Sequence, residues 1–257
     1  VHVTIVYHED FDEFLTEKQL IENGPLLVDI DFRYNSSIIE RQHSKEHIID
    51  LINLYINKLD EIYTINNNIC VYVLEKPTVN KVDNKTKDGI HLIFTIMMSK
   101  AEQCLLRKKI LNEISELWSD LNIENSYEDV FDEGVTKGFV NWQLYGSKKP
   151  GHMAYELKYY FICNKTNKDE YNDAEWCIVE KQVTTLNIEE HIKFMSARNN
   201  NHTKFDLINN QFLLEAIENE KLLLNKKNIE PLNNIETKTN ILILDDFDLS
   251  KISCMEE

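Results

Sequence analysis

No Cys-x-x-Cys pair occurs in this chain. Its five cysteines, Cys70, Cys104, Cys163, Cys177 and Cys254, are odd in number and scattered. Neither a zinc knuckle nor a disulfide framework is indicated, and a reducing compartment is favoured. Long apolar runs are missing too. The longest, around Ile90 to Met98, contains His91 and is far too short to span a bilayer, so no membrane is expected among the partners. No signal-peptide pattern opens the chain. A basic excess is also absent: 28 Lys and Arg stand against 44 Asp and Glu, for a net charge of -16. That balance argues against a protein that coats nucleic acid by charge alone, so any contact with DNA or RNA must use local basic patches. No internal repeat is found, and the first residue, Val1, points to a fragment of a longer polypeptide.

What is present suits a folded domain. The chain has 257 residues, 42% of them hydrophobic, enough for one large domain or two small ones. Val3 to Tyr7 reads as a short strand and Phe11 to Glu22 as a polar, partly helical connection. Gly24-Pro25 then punctuates the start of a second strand. Ser44 is an N-cap, and Ile48, Leu51, Ile52, Tyr55, Ile56, Leu59, Ile62 and Tyr63 follow at helical spacing on one face. Ile69 to Leu74 is a strand. Pro77 to Asp88 is a polar loop carrying Lys81, Lys85 and Lys87, and Ile90 to Ile96 is another strand. Ser99-Lys100-Ala101-Glu102 is a capping box, opening a helix that packs through Leu106, Ile110, Ile114, Leu117 and Trp118. Asn141 to Tyr145, Tyr155 to Cys163 and Trp176 to Lys181 read as strands, the last two antiparallel. Ile188 to Ala197 and Leu207 to Leu224 read as helices. The order implies a sheet with helices on it, and a domain edge falls near residue 200.

The stretch Leu27-Val28-Asp29-Ile30-Asp31-Phe32 carries the first chemistry. Side chains alternate along a strand, so Val28, Ile30 and Phe32 share one face while Leu27, Asp29 and Asp31 share the other. The two carboxylates then lie roughly 7 Å apart at the Cα level and repel each other. A hard cation such as Mg²⁺ or Mn²⁺ would cancel that repulsion; a strand with a solvated polar face is the plainer alternative. Three further features have complementary residue types: Lys87-Asp88-Gly89-Ile90-His91, Asp132 after Phe131, and the turn Gly146-Ser147-Lys148-Lys149. Three carboxylates can bind two divalent cations. Lys87, His91, Ser147 and Lys149 can grip a triphosphate. Together these are the parts of nucleotidyl transfer by in-line displacement. Singly, each has an ordinary explanation: a hydrogen-bonded core histidine, an acidic surface loop, a solvated turn.

At these residues the sequence resembles the catalytic module of the archaeo-eukaryotic primase superfamily. Its nearest group is the primase-polymerases, including the N-terminal primase module of the primase-helicases of large nucleocytoplasmic DNA viruses. The matches are Val28-Asp29-Ile30-Asp31, Gly89-Ile90-His91 and Phe131-Asp132. More specific are Lys87-Asp88-Gly89-Ile90-His91-Leu92-Ile93-Phe94 and Asn141-Trp142-Gln143-Leu144-Tyr145-Gly146-Ser147-Lys148-Lys149-Pro150, with Phe194 to Asn199 resembling a closing Ser-Ile-Arg segment. The likeness covers about residues 1 to 200. It implies an α+β fold, an α/β unit beside an RRM-like unit with the active-site cleft between them. By this resemblance Asp29, Asp31 and Asp132 bind Mg²⁺ or Mn²⁺ and are catalytic, while Lys87, His91, Ser147 and Lys149 contact the nucleotide phosphates. The implied partners are a single-stranded DNA template and an NTP or dNTP. Residues 201–257, helical and then rich in Asn and acids, would be an extension or a linker to a helicase domain. The implied setting is viral DNA replication in the cytoplasm of an infected host cell. Gly89 stands where Ser is common, Gln143 where some relatives carry Arg, and no zinc knuckle follows, which favours primer extension over de novo priming. Two other readings compete. A non-catalytic replication scaffold with the same fold would show no Mn²⁺-dependent nucleotide binding, and a metal-dependent phosphohydrolase would release phosphate without a template.

Overall fold

Residues 14–166 and 175–227 are described by a computed structural model. A short strand, β1 (Thr16–Glu17), precedes the central one, β2 (Gly24–Asn35). Alternation along β2 decides the layering. Leu26, Val28, Ile30, Phe32 and Tyr34 are buried in the main core, whereas Leu27 packs into a smaller apolar cluster on the opposite face, the one that also carries Asp29 and Asp31. Helix α1 (Lys45–Asp60) covers the main core with Ile48, Leu51, Ile52, Tyr55, Ile56 and Leu59, as its spacing predicts. Ser44 caps it, and its backbone N–H donates to His47 Nδ1 at 3.0 Å, so a histidine fills the place usually taken by Glu in a capping box.

After the two-residue β3 (Tyr63–Thr64) come β4 (Ile69–Glu75), the short β5 (Asn80–Val82) and the long β6 (Lys85–Met98). The polar loop expected over Pro77 to Asp88 is therefore largely a hairpin. Thr86 and Asp88 are buried inside the sheet, and β5 pairs with the first three residues of β6. Lys85 and Lys87 hid the strand because they alternate with the buried Thr86 and Asp88, and Lys81 lies on β5 opposite Thr86. Helix α2 (Lys100–Leu111) starts at the Ser99/Glu102 capping box and stops at Asn112, and the one-turn α3 (Ile114–Leu117) is separate from it. One-turn helices α4 (Tyr127–Val130) and α5 (Glu133–Lys137) and the short β7 (Trp142–Gln143), which pairs with β1, cross the second face. The expected strand over Asn141 to Tyr145 is reduced to that two-residue pairing, and the polar connection before residue 22 holds its partner. Strands β8 (Glu156–Lys165) and β9 (Trp176–Lys181) complete an antiparallel sheet in the order β2-β6-β4-β8-β9.

The helix expected over Ile188 to Ala197 is one α-turn, α6 (Ile188–His191), followed by a 3₁₀ turn to Met195. Beyond residue 200 the chain is knitted back to the sheet. Met97 N–H donates to Thr203 O at 2.9 Å, β10 (Asp206–Leu207) pairs with β3, and helix α7 (Gln211–Lys227) pairs Glu220 with Lys108 of α2. The expected strand at Val3 to Tyr7 and everything after residue 227 lie outside the described residues.

One buried group ties these layers together. Lys100 is 1% exposed, and its ammonium donates to Gln19 Oε1 at 2.5 Å, Gln103 Oε1 at 3.1 Å and Val135 O at 3.3 Å. Burial pushes its amine down to about 7. An unfolded lysine holds its proton to roughly pH 10.4, so between 7 and 10 the unfolded chain binds a proton that the folded chain has shed. Stability attributable to this group therefore rises with pH across that window. Urea denaturation at pH 7 and pH 9 is expected to show a smaller gain in Lys100→Met than in the native chain. Equal gains would show that Lys100 keeps its proton in the fold.

Candidate active site

Two strands build the site. In the β2–β6 ladder Asp29 stands opposite His91, Asp31 opposite Gly89 and Arg33 opposite Lys87, which puts all six on the face away from α1. His91 is buried between aromatic rings, stacked on Tyr155 with centroids 3.6 Å apart and tilted against Trp142 at 4.3 Å. Its Nε2 lies 3.3 Å from Asp29 Oδ1 without the alignment of a hydrogen bond, so that buried carboxylate oxygen has no hydrogen-bond partner. Asp31 is open to solvent, yet protein crowds its carboxyl. Desolvation first and Asp29 second push its pKa up, against His91, Lys149 and Lys76, which pull it down. A lone orphan acceptor beside a second carboxylate is a donor set suited to a hard divalent cation.

Asp132 reaches this neighbourhood through Phe131. The Phe131 ring is buried in the main core against Trp118, its backbone bridges to Ile30, and Arg107 Nε holds its carbonyl at 3.0 Å. The next backbone N–H, that of Asp132, then donates to Asp29 O at 3.0 Å. The Asp132 side chain caps α5, with Oδ1 accepting from Val135 N–H at 2.8 Å. Asp29 and Asp132 are thus neighbours through their backbones, while one Asp132 oxygen is occupied. Among the described residues no three His, Cys, Asp or Glu side chains converge closely enough to enclose a metal ion.

The proposed phosphate contacts divide. Lys87 and Gly89 line a small cavity of about 50 Å³ together with Asp31, Lys76 and His152, and Lys149 is close enough to act on the Asp31 charge. Ser147 is placed differently. It is buried, and its Oγ accepts from Leu15 N–H at 3.1 Å, while the Gln143 amide donates to the Ser147 carbonyl. Both residues hold the turn that presents Lys149.

Three contributors escaped the sequence reading. Lys76, just past β4, holds its ammonium 4.9 Å from the centre of the Tyr155 ring. Tyr155 itself is neutral, since burial, Asp29 and Asp31 raise its pKa well above the ordinary value. Arg41 sits behind the sheet. No motif marks any of them, because their neighbours come from distant strands. Tyr155 also explains Gly89. A Cβ there would lie 2.4 Å from Tyr155 Oη and 3.3 Å from Ile30 O, so the tyrosine hydroxyl occupies the space a serine side chain would need. Gly89→Ala is expected to cost about 1–3 kcal/mol by overpacking. Adding Tyr155→Phe should recover part of it in thermal melts; no recovery would mean that the strain falls on Ile30.

A family model described as the C962R protein N-terminal AEP domain, AEP being archaeo-eukaryotic primase, matches residues 2–161. The chain belongs to this primase family. Its AEP domain has the α+β architecture with antiparallel sheets and packed helices set out above, and membership points to primase-type nucleotidyl transfer. No curated protein matches the chain. No helix of the AEP domain or of the rest of the described residues is long and apolar enough to cross a membrane.

Proposed function

We propose that this AEP domain is a primase-polymerase module that joins nucleotides along a single-stranded DNA template. The observation that carries the reading is the buried, unpartnered Asp29 oxygen beside Asp31, on the same face as Lys76, Lys87 and Lys149. Carboxylates gathered beside ammonium groups on one face are suited to divalent cations at the first and phosphates at the second. Asp29 and Asp31 would hold Mg²⁺ or Mn²⁺, with Asp132 alongside. Such cations, when bound, stabilise the charge on the oxygens exchanged in nucleotidyl transfer.

The chain's own residues do the positioning. His91 is held between Tyr155 and Trp142 with Nε2 3.3 Å from Asp29, where it would fix the position of that carboxylate. Lys87 and Lys149 would take the phosphate oxygens of an NTP or dNTP, and Ser147 would hold the turn beneath Lys149. The stretch 201–257 is read as an extension, packed on the sheet through Thr203, β10 and Glu220, that leads to a helicase domain of the same polypeptide, and the setting as viral DNA replication in the host cytoplasm. Template-directed incorporation with Mg²⁺ and Mn²⁺, comparing the two nucleotide classes, tests the reading. Extension that follows the template sequence supports it. Phosphate release without a template would favour a phosphohydrolase, and neither activity nor Mn²⁺-dependent nucleotide binding would favour a scaffold.

A further inference from the structure

On the face of the sheet opposite the carboxylate site lies a buried charge cluster that the proposed chemistry does not use. Arg41 Nε donates to Asp88 Oδ2 at 2.8 Å, and a second guanidinium nitrogen to Asp88 Oδ1 at 2.9 Å. The guanidinium also pairs with Glu75, and donates to the Lys76 carbonyl at 2.8 Å. His43 Nε2 lies 2.9 Å from the other Glu75 oxygen. Asp88 in turn accepts from the Gly89 N–H at 3.0 Å. Glu75 and Asp88 are each 3% exposed. The last residue of β4 and the fourth of β6 are thus pinned together, each immediately before a residue of the site face.

The residues just past those pins are Lys76 and Gly89. Lys76 is half-buried, lines the small cavity with Asp31, Lys87 and Gly89, and has its ammonium over the Tyr155 ring. It lies near enough to Asp31 and Asp29 to be drawn by them, and near enough to Lys149 to be repelled. Lys76 and Lys87 line the same small cavity as Asp31, so two ammonium groups are available to an anion entering beside the carboxylate. A phosphate there would meet Lys76 and Lys87, with Lys149 near enough to act on the same charges, while cations screen the carboxylates.

We propose that Lys76 is a phosphate-binding residue of this site, and that Arg41 is its positioning residue, acting from the far face of the sheet through the Lys76 carbonyl. The inference rests on the nucleotidyl-transfer reading and adds a binding group that the motifs do not contain. It assigns Lys76 to the triphosphate of the incoming nucleotide, since neither the base nor the sugar offers a full negative charge for an ammonium to meet.

The test uses inorganic tripolyphosphate with Mn²⁺ as probe, followed by calorimetry, and Mn²⁺ alone, followed by water-proton relaxation. Lys76→Met should weaken tripolyphosphate by about tenfold or more, the equivalent of one charge-assisted contact. It should leave Mn²⁺ binding unchanged or tighter, because a cation has been removed from beside Asp31. Lys76→Arg should retain most of the affinity. Arg41→Met alone risks unfolding, so the charge-free variant Arg41→Met/Glu75→Gln/Asp88→Asn is the one to compare, its fold checked by a cooperative melt. It should lose tripolyphosphate affinity, and adding Lys76→Met should cause little further loss.

If Lys76→Met binds tripolyphosphate as the native chain does while Lys149→Met does not, Lys76 is only a counter-charge to Asp31, and the wider reading of the site survives. If the charge-free variant folds and binds normally, the positioning role of Arg41 is overturned. If the native chain binds neither probe, the nucleotidyl-transfer reading fails, and this inference falls with it.

Discussion

Asp29→Asn is expected to abolish template-directed incorporation, by about a hundredfold at least, without unfolding the domain. Both effects come from where the carboxylate sits. Its Oδ1 is buried, has no hydrogen-bond partner and faces His91. In the absence of cations it also repels Asp31, whose pKa it helps to raise. Removing the charge therefore relieves a destabilising pair, and the melting temperature should hold or rise. The same change removes the negative charge, and one of the two oxygens, on which cation binding depends. A loss of activity together with retained or increased stability marks a functional group, because a structural residue loses both at once. Asp132→Ala should reduce incorporation too but cost stability, since it also removes the cap on Val135 N–H. Primer extension at normal rate by Asp29→Asn would refute the assignment of metal binding to this pair.

The second large effect is on stability. Arg41→Met leaves Glu75 and Asp88 buried without their guanidinium. Removing one partner of a buried ionic cluster typically costs about 3–5 kcal/mol, because an uncompensated charge remains inside. For a chain of this size about 2–4 °C of melting temperature goes with each kcal/mol, so a fall on the order of 10 °C is expected in calorimetry. Adding Glu75→Gln and Asp88→Asn should restore most of it, since the penalty comes from the stranded charges rather than from the lost contacts. A fall of only a degree or two in the single variant would mean that water reaches the cluster.

Parts of this site were legible before any coordinates. That Asp29 and Asp31 share a face, and that Ile30 and Phe32 oppose them, follows from strand geometry alone. The capping residues Ser44 and Ser99 were equally plain, because caps are local. The start of β6 was not. Lys85 and Lys87 look like loop residues until the sheet shows them alternating with the buried Thr86 and Asp88. Nor could Ser147 be seen to turn inward, because its partner, Leu15, comes from a stretch that carries no motif. Arg41 followed an unremarkable polar segment, and nothing near it announced two buried carboxylates.

By itself the amino-acid order determined which side chains travel together: the acidic pair on one side of a strand, the apolar stripe of α1, the lysines of the Gly146-Ser147-Lys148-Lys149 turn. These depend on backbone periods set within a few residues. Only the tertiary structure decided which groups meet, placing His91 opposite Asp29, Tyr155 in the space above Gly89, and Arg41 behind Lys76. Pairing register and the packing of one face on another are chosen by burial summed over whole strands and helices, and no short window of sequence contains that sum.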